Sequence, residues 1–275
     1  MKATFALVLI ATVLPMQDVE KRLIDVSNYV EFAVLPVWYC DPSDLNKSGV
    51  VGTGFLVTPD GHFITAAHVV EQYLPNSGRL TAVLRQRSRD GGGAFFELVE
   101  KDEAHDLALC KIVGSMKFIE RKDNPGTEKP IATLHISAAD PITGRFIAIA
   151  GFPLGSWELA IQLGTIAAIR TTNPNAGRVP AGQRELLQIS ASGNKGNSGG
   201  PVIDLDTGDV VGVIIQAQPA PLFGAGANLP IAQSSGIMLA VPASWVRELL
   251  KRHNVESVAQ HPPEGHTSYY GLPTQ

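Results

Sequence analysis

Cysteine is nearly missing from this chain of 275 residues, where only Cys40 and Cys110 occur. Two thiols cannot build the disulfide framework of a small secreted scaffold. Cys110 sits inside an apolar run and reads as a buried thiol. Charge of either sign is also scarce. Lys and Arg total 22 and Asp and Glu total 26, for a net charge of −4. That balance leaves no basic footprint for nucleic acid, which is excluded as a partner. Long hydrophobic runs are lacking as well. The longest, residues 3–14, is too short to cross a bilayer unaided, so no stable membrane span is expected. No HExxH, paired CxxC or EF-hand pattern occurs, so no metal and no cofactor is expected, and His261 and His266 read as solvated residues. Gly224-Ala225-Gly226-Ala227-Asn228 lacks the preceding strand and following helix of a dinucleotide loop, and reads as a mobile loop.

Turn formers are abundant, with 27 Gly and 19 Pro between many short apolar runs. This pattern favours all-β barrels over alternating strands and helices. Strand-like runs fall near 30–39, 52–57, 62–65, 80–86, 94–100 and 106–112. A second set falls near 131–137, 146–151, 161–169, 186–191, 201–204, 210–217 and 237–241. Between them, residues 119–130 are charged and proline-containing with no apolar period, and read as a linker. The expected division is therefore a first barrel over 27–118, a second over 131–242 and a helix over 243–253, together forming one unit, 27–255. Ser244 is the expected N-cap of that helix. Residues 256–275 have no period and read as a flexible tail. Residues 1–26 read as a signal or N-terminal segment, because Lys2 precedes an apolar stretch. Export to the periplasm or medium follows from that reading. The cytoplasm is the alternative, since no clear cleavage site follows and Met16 is a possible start.

Three segments carry chemistry. Gly196-Asn197-Ser198-Gly199-Gly200-Pro201 places a serine in a tight glycine turn, where its hydroxyl can be exposed and backbone N–H groups can face a developing oxyanion. Thr65-Ala66-Ala67-His68 follows a strand–turn–strand pattern, with small residues leaving room around the imidazole. Asp106 opens the buried-strand pattern Leu107-Ala108-Leu109-Cys110-Lys111-Ile112, where a carboxylate can hold a histidine in one tautomer. The neighbouring His105 is a weaker candidate base.

These segments, together with Gly52-Thr53-Gly54-Phe55-Leu56, resemble the trypsin-like serine peptidases, and within them the HtrA-type branch. Weaker echoes are Ala150-Gly151-Phe152-Pro153-Leu154-Gly155 and Gly236-Ile237-Met238-Leu239-Ala240-Val241-Pro242. The likeness covers roughly 30–253. It implies an all-β fold of two six-stranded antiparallel β-barrels, chymotrypsin-like, with a short C-terminal helix. It further implies Ser198 as nucleophile, His68 as general base, Asp106 as its orienting carboxylate, and the N–H groups of Gly196 and Ser198 as oxyanion hole. The implied activity is that of a serine endopeptidase acting through an acyl-enzyme, with unfolded or exposed polypeptide as substrate. Ser192 falls where relatives set the floor of the pocket for the residue before the scissile bond (P1). Ile214, Ile215 and Gln216 fall beside the substrate backbone and suggest a small or medium apolar P1 residue. The other reading for these aliphatics is that they face the barrel core. Asn197 replaces the aspartate that pairs with a new N-terminus in zymogen-type relatives, so activation by N-terminal cleavage is not expected. Residues 254–275 are too few for the PDZ domain of many relatives. Two other functions are compatible with the same motifs: a catalytically silent peptide-binding module and a hydrolase of non-peptide acyl esters. The oligomeric state is not readable from the sequence.

Overall fold

The structure is a computed structural model, and it describes residues 2–41, 43–71, 79–83, 93–113, 132–171, 185–220 and 233–260. The first group of strands is β1 (Val34–Cys40), β2 (Gly49–Leu56), β3 (His62–Ala66), β4 (Arg79–Val83), β5 (Gly93–Asp102) and β6 (Leu107–Ile112). The second is β7 (Phe146–Gly151), β8 (Ala160–Thr171), β9 (Glu185–Ser190), β10 (Pro201–Asp204), β11 (Val210–Ala220) and β12 (Gln233–Pro242). Among the described residues three α-helices accompany them: α1 (Lys2–Ala33), α2 (Ala67–Glu71) and α3 (Ala243–Arg252). The architecture is all-β and chymotrypsin-like.

Neighbouring strands within each group are antiparallel. The first group runs β1-β2-β3-β6-β5-β4 and closes where Val37 pairs with Ala82. The second runs β10-β11-β12-β9-β8-β7 and closes where Val202 pairs with Ile149. Closure leaves few open sheet edges. The interiors are filled by β-branched and aromatic residues. Phe55 and Phe63 are fully buried in the first barrel, and Phe63 meets Phe96 edge-on at 5.0 Å. Burying side chains of this size contributes about 1.5–3 kcal/mol each. Ile147, Ile149, Ile166, Leu187 and Ile189 fill the second barrel.

The N-terminal region departs from expectation. Residues 30–33 are helical rather than extended, and the boundary drawn at 26/27 falls inside α1. Val26, Val30 and Ala33 are buried in the main core cluster, so this end of α1 is part of the folded unit. Arg22 pairs with Asp206, and the Tyr29 hydroxyl donates to Gly208 O at 3.0 Å, tying α1 to the second barrel. Burial, helped by nearby Asp209, pushes the Tyr29 phenol up. The apolar spacing of Val26, Val30 and Ala33 is helical. β-Branched content over 30–39 favours a strand, and packing of one helical face overrides that propensity.

Three smaller corrections follow. Residues 132–137 form no strand of either barrel and make only isolated bridges, Thr133 to Gln260 and Ile136 to Val210. Pro242, not Ser244, occupies the N-cap position of α3, and no side chain caps that end. The start of the expected tail is anchored: Val258 N–H donates to Val57 O, and Thr133 and Gln260 exchange backbone hydrogen bonds. The linker at 119–130, the loop at 224–228, His261 and His266 lie outside the described residues. Among the described residues, no helix is long and apolar enough to cross a membrane.

Candidate active site

The β2–β3 hairpin delivers the histidine. Gly54 pairs with Thr65 and Phe55 with Ile64, so β3 ends at Ala66 and the short α2 begins with Ala67 and His68. Asp106 sits immediately before β6, which pairs with β3 through Ala66 and Leu107. Register alone therefore brings the two residues together. His68 Nδ1–H donates to Asp106 Oδ2 at 2.7 Å, and the backbone N–H of His68 donates to Oδ1 at 2.9 Å. The carbonyl of Asp106 in turn accepts from Ala67 N–H at 3.0 Å. With Nδ1 protonated and committed, Nε2 is left as the basic nitrogen. Asp106 adopts φ 55, a left-handed conformation rare outside glycine. The three hydrogen bonds that its oxygens accept hold it there, against a strain of roughly 1–2 kcal/mol.

His105, the weaker candidate, is placed elsewhere. Its Nδ1 lies 3.0 Å from Asp102, and its ring stacks on Trp245 with centroids 3.8 Å apart. It packs α3 against the first barrel rather than facing the glycine turn.

The serine turn comes from the second barrel, just before β10. Gly196 has φ +100 and Gly199 φ +85, conformations that a side chain would oppose. Close approach also forbids one. A Cβ on Gly196 would lie 2.1 Å from Phe152 O, and one on Gly199 would lie 2.1 Å from Thr53 O. The turn is pressed against the first barrel near His68. Thr53 N–H donates to Ser198 O at 2.8 Å, and a Cβ on Gly52 would touch both Ser198 O and the side chain of Val69. Ser198 itself is half-buried.

Other N–H groups of the turn are used internally. Gly199 donates to Ile214 O at 2.6 Å, Gly200 to Asn197 O at 2.9 Å and Asn197 to Asn194 O at 3.3 Å. Among the described residues, the N–H groups of Gly196 and Ser198 donate to no acceptor. No hydrogen bond joins Ser198 Oγ to His68 Nε2 among the described residues. Such bonds are often long until a substrate is bound. Asn197 is buried, and its Nδ2 has no partner among the described residues.

Of the specificity candidates, Ser192 and Gln216 are exposed. Ile214 is buried in the interior cluster of the second barrel and Ile215 in the cluster between barrels. Their side chains thus follow the core-facing reading. Thr53 is the residue that sequence reading passed over. Its hydroxyl donates to Gly196 O at 2.6 Å and accepts from Phe152 N–H at 3.1 Å, and its carbonyl accepts from Thr65 Oγ1 at 2.7 Å. Its place in Gly52-Thr53-Gly54 was the available signal, since a polar residue inside an otherwise apolar strand needs partners.

Comparisons with known proteins identify the family and the fold. The family model of the trypsin-like peptidase domain matches residues 52–213. Serine protease HTRA4 of Mus musculus is 30% identical over 208 residues, covering 74% of this chain and 34% of the relative. A protein of Rhizobium meliloti named "Probable periplasmic serine endoprotease DegP-like" is 29% identical over 206 residues, covering 72% of this chain and 32% of the relative. Among solved structures, the HtrA-type protease AlgW with tripeptide superposes with a TM-score of 0.57 at 21% identity, covering 85% of this chain and 64% of that one. The chain belongs to the trypsin-like peptidase family, and the relatives it resembles include HtrA-type proteases. It spans about a third of the length of these curated relatives.

Proposed function

We propose that this protein is a serine endopeptidase in which Ser198 attacks the scissile carbonyl, His68 takes and then returns the proton, and Asp106 orients His68. The observation that carries the reading is the double engagement of Asp106, whose two oxygens accept from the ring and from the backbone of His68. A serine hydroxyl is a weak nucleophile until such a base adjoins it. The two barrels are read as the halves of one cleft. The free N–H groups of Gly196 and Ser198 form its oxyanion hole, where each donor supplies about 3–4 kcal/mol to the transition state. Water then resolves the acyl-enzyme by the same proton path in reverse.

The substrate is polypeptide that can be drawn out as a strand. β10 pairs with β11 only as far as Pro201 and Val213, and beyond that point β11 is paired on its β12 side. Ile215, Gln216 and Ala217 therefore offer an edge for strand addition by unfolded or exposed chain. The P1 residue is read as small or medium and apolar, since no charged side chain stands at Ser192. Export fits the periplasmic relative. The test is labelling with a fluorophosphonate probe and cleavage of casein, by wild type, Ser198→Ala and His68→Ala. Both signals should be present in the wild type and lost in each variant.

The second reading is a catalytically silent peptide-binding module, in which a substrate strand docks but Ser198 is never activated. Folded wild type that takes no label, with or without added peptide, would put that reading first.

A further inference from the structure

The specificity candidates Ser192 and Gln216 are exposed, while Ile214 and Ile215 are committed to core clusters. None of them closes the bottom of a pocket between the Ser192–Ser198 segment and β11. A different residue occupies that space. Met238 is on β12, where it pairs with Ala217 on β11 and with Ile189 on β9. It is fully buried. Its side chain reaches towards the segment before the nucleophile. A Cβ built on Gly193 would lie 2.2 Å from Met238 Cγ, 2.5 Å from its Sδ and 3.2 Å from the Cβ of Ala217. Met238 therefore lies against the bare backbone of Gly193 with no space between them, and it fills the gap between Gly193 and Ala217. Gly193 has no side chain, and none would fit.

A P1 side chain entering beside Ser198 must pass between the same two walls, the 192–196 backbone on one side and β11 on the other. We propose that Met238 is a stopper that closes this pocket at the level of Gly193 and restricts the residue before the scissile bond to alanine, serine or valine size. This rests on the peptidase reading above and narrows it, since leucine, isoleucine and the aromatics are excluded. The packing is steric rather than polar. A thioether with three rotatable bonds fills irregular space well, but its displacement by a larger P1 group would require the surrounding barrel interior to yield. Ile189 and Ile214, both buried in the same cluster, leave little room for that.

The test uses peptidyl diphenyl phosphonates identical except for a P1 alanine, valine, leucine or phenylalanine analogue, with rates of covalent inactivation measured for wild type, Met238→Gly, Met238→Ala and Met238→Leu. Wild type should react about tenfold or more faster with the alanine and valine analogues than with leucine, and more slowly still with phenylalanine, since single methylenes in an apolar pocket are worth about 10–200-fold. Met238→Gly and Met238→Ala should raise leucine and phenylalanine rates relative to alanine by about tenfold or more. The near-isosteric Met238→Leu should keep the wild-type order. A wild type that reacts fastest with leucine or phenylalanine overturns the stopper whether or not any variant folds. So does an unchanged order in a Met238→Gly protein that melts cooperatively and still reacts with the alanine analogue. A folded wild type that reacts with none of the four, nor with a fluorophosphonate, instead overturns the peptidase reading itself.

Discussion

Thr53 Oγ1 donates to Gly196 O at 2.6 Å, so a side chain of the first barrel fixes a peptide of the second. The same hydroxyl accepts from Phe152 N–H, and the Thr53 backbone holds Ser198 O. The turn that carries the proposed oxyanion donors is thus held across the barrel interface by one buried residue. Thr53→Val keeps the shape and removes the hydroxyl, and with it the buried hydrogen bonds to Gly196 O and from Phe152 N–H. Losing the partner of a buried polar group costs about 1–3 kcal/mol. The expected result is a kcat on a peptide substrate lowered by about tenfold or more, with KM little changed and the melting temperature reduced. Thr53→Ser should restore kcat. A valine variant with wild-type kcat would show that the turn orients itself.

Asp106 uses both carboxylate oxygens on one histidine, so its replacement should act through tautomer choice. Asp106→Asn preserves size but offers an amide N–H to one of its two partners. If that group faces His68 Nδ1, Nε2 carries the proton and cannot accept one from Ser198. Loss of about 10⁴ in kcat is expected near neutral pH, with the fold intact. Combining His68→Ala with Ser198→Ala should cost scarcely more than either change alone, because the two act as a unit. Single-turnover kinetics on an activated ester would measure both effects, and additive losses would argue against a shared mechanism.

Gly199 and Gly144 share a left-handed backbone but not the same surroundings. Gly199 has φ +85, and a Cβ there would lie 2.1 Å from Thr53 O, 2.4 Å from Thr65 Oγ1 and 2.8 Å from Ala66 N. Gly144 has φ +89 and nothing within 4 Å. Gly144→Ala should therefore cost only the conformational strain, roughly 1–2 kcal/mol. Gly199→Ala should cost more and also abolish labelling, because the turn must move off the first barrel. Chemical denaturation of both variants gives the comparison, and equal losses would mean that the close packing at Gly199 is readily relieved.

Much of this site could be read in the chain because it is local. His68, Asp106 and the Ser198 turn each sit in a short motif whose residue types are dictated by the chemistry. The strand patterns around them are equally local, and β2, β3, β6, β10 and β11 fall near where periodicity places them. What could not be read depends on contacts between distant segments. Val26 and Val30 look like strand or leader residues until the core that buries them is known. Thr53 has no visible partner in sequence, since Gly196 is 143 positions away. Met238 reads as one more apolar residue of a final strand, and only the register with β9 and β11 sets it against Gly193. Ser244 looks like a cap, but α3 begins one residue before it, directly after Pro242.

The placement of α1 leads to a truncation experiment. Its last turns contribute Val26, Val30 and Ala33 to the core, and Arg22 and Tyr29 reach the second barrel. Removing residues 1–17 should leave a cooperative fold with near-native stability. Removing residues 1–33 should expose the apolar surface beneath these side chains and lower stability severely. Two or three buried aliphatic side chains at about 1.5–3 kcal/mol each are a large part of a typical domain's total. Thermal melts of the two truncations would settle the matter, and equal melting temperatures would mean that α1 is dispensable.

Acid should loosen the hold of β5 on α3. Glu100 and Asp102 on β5 hold Arg252, at 2.9 and 3.0 Å, and they also engage His253 and His105. The Arg252 guanidinium, with help from His253, keeps the Glu100 carboxyl below its ordinary value against a smaller opposing effect of burial. Burial is the largest single influence on Asp102 and acts upward. Hydrogen bonds from His105 and Arg252 together outweigh it and hold that carboxyl low. A carboxylate held low in the folded protein binds protons more weakly than in the unfolded chain, where values are near 4. Its contribution to stability is therefore present above about pH 4 and is lost as pH falls through the lower folded value. The wild-type melting temperature should drop on acidification from about pH 5 to pH 3. Asp102→Asn should begin lower at pH 7, by about 1–3 kcal/mol for the unpaired partners, and should fall less steeply. Glu100→Gln, at a more exposed pair, should change stability by about 1 kcal/mol or less. Parallel pH curves for wild type and Asp102→Asn would mean that other carboxylates set the acid limit.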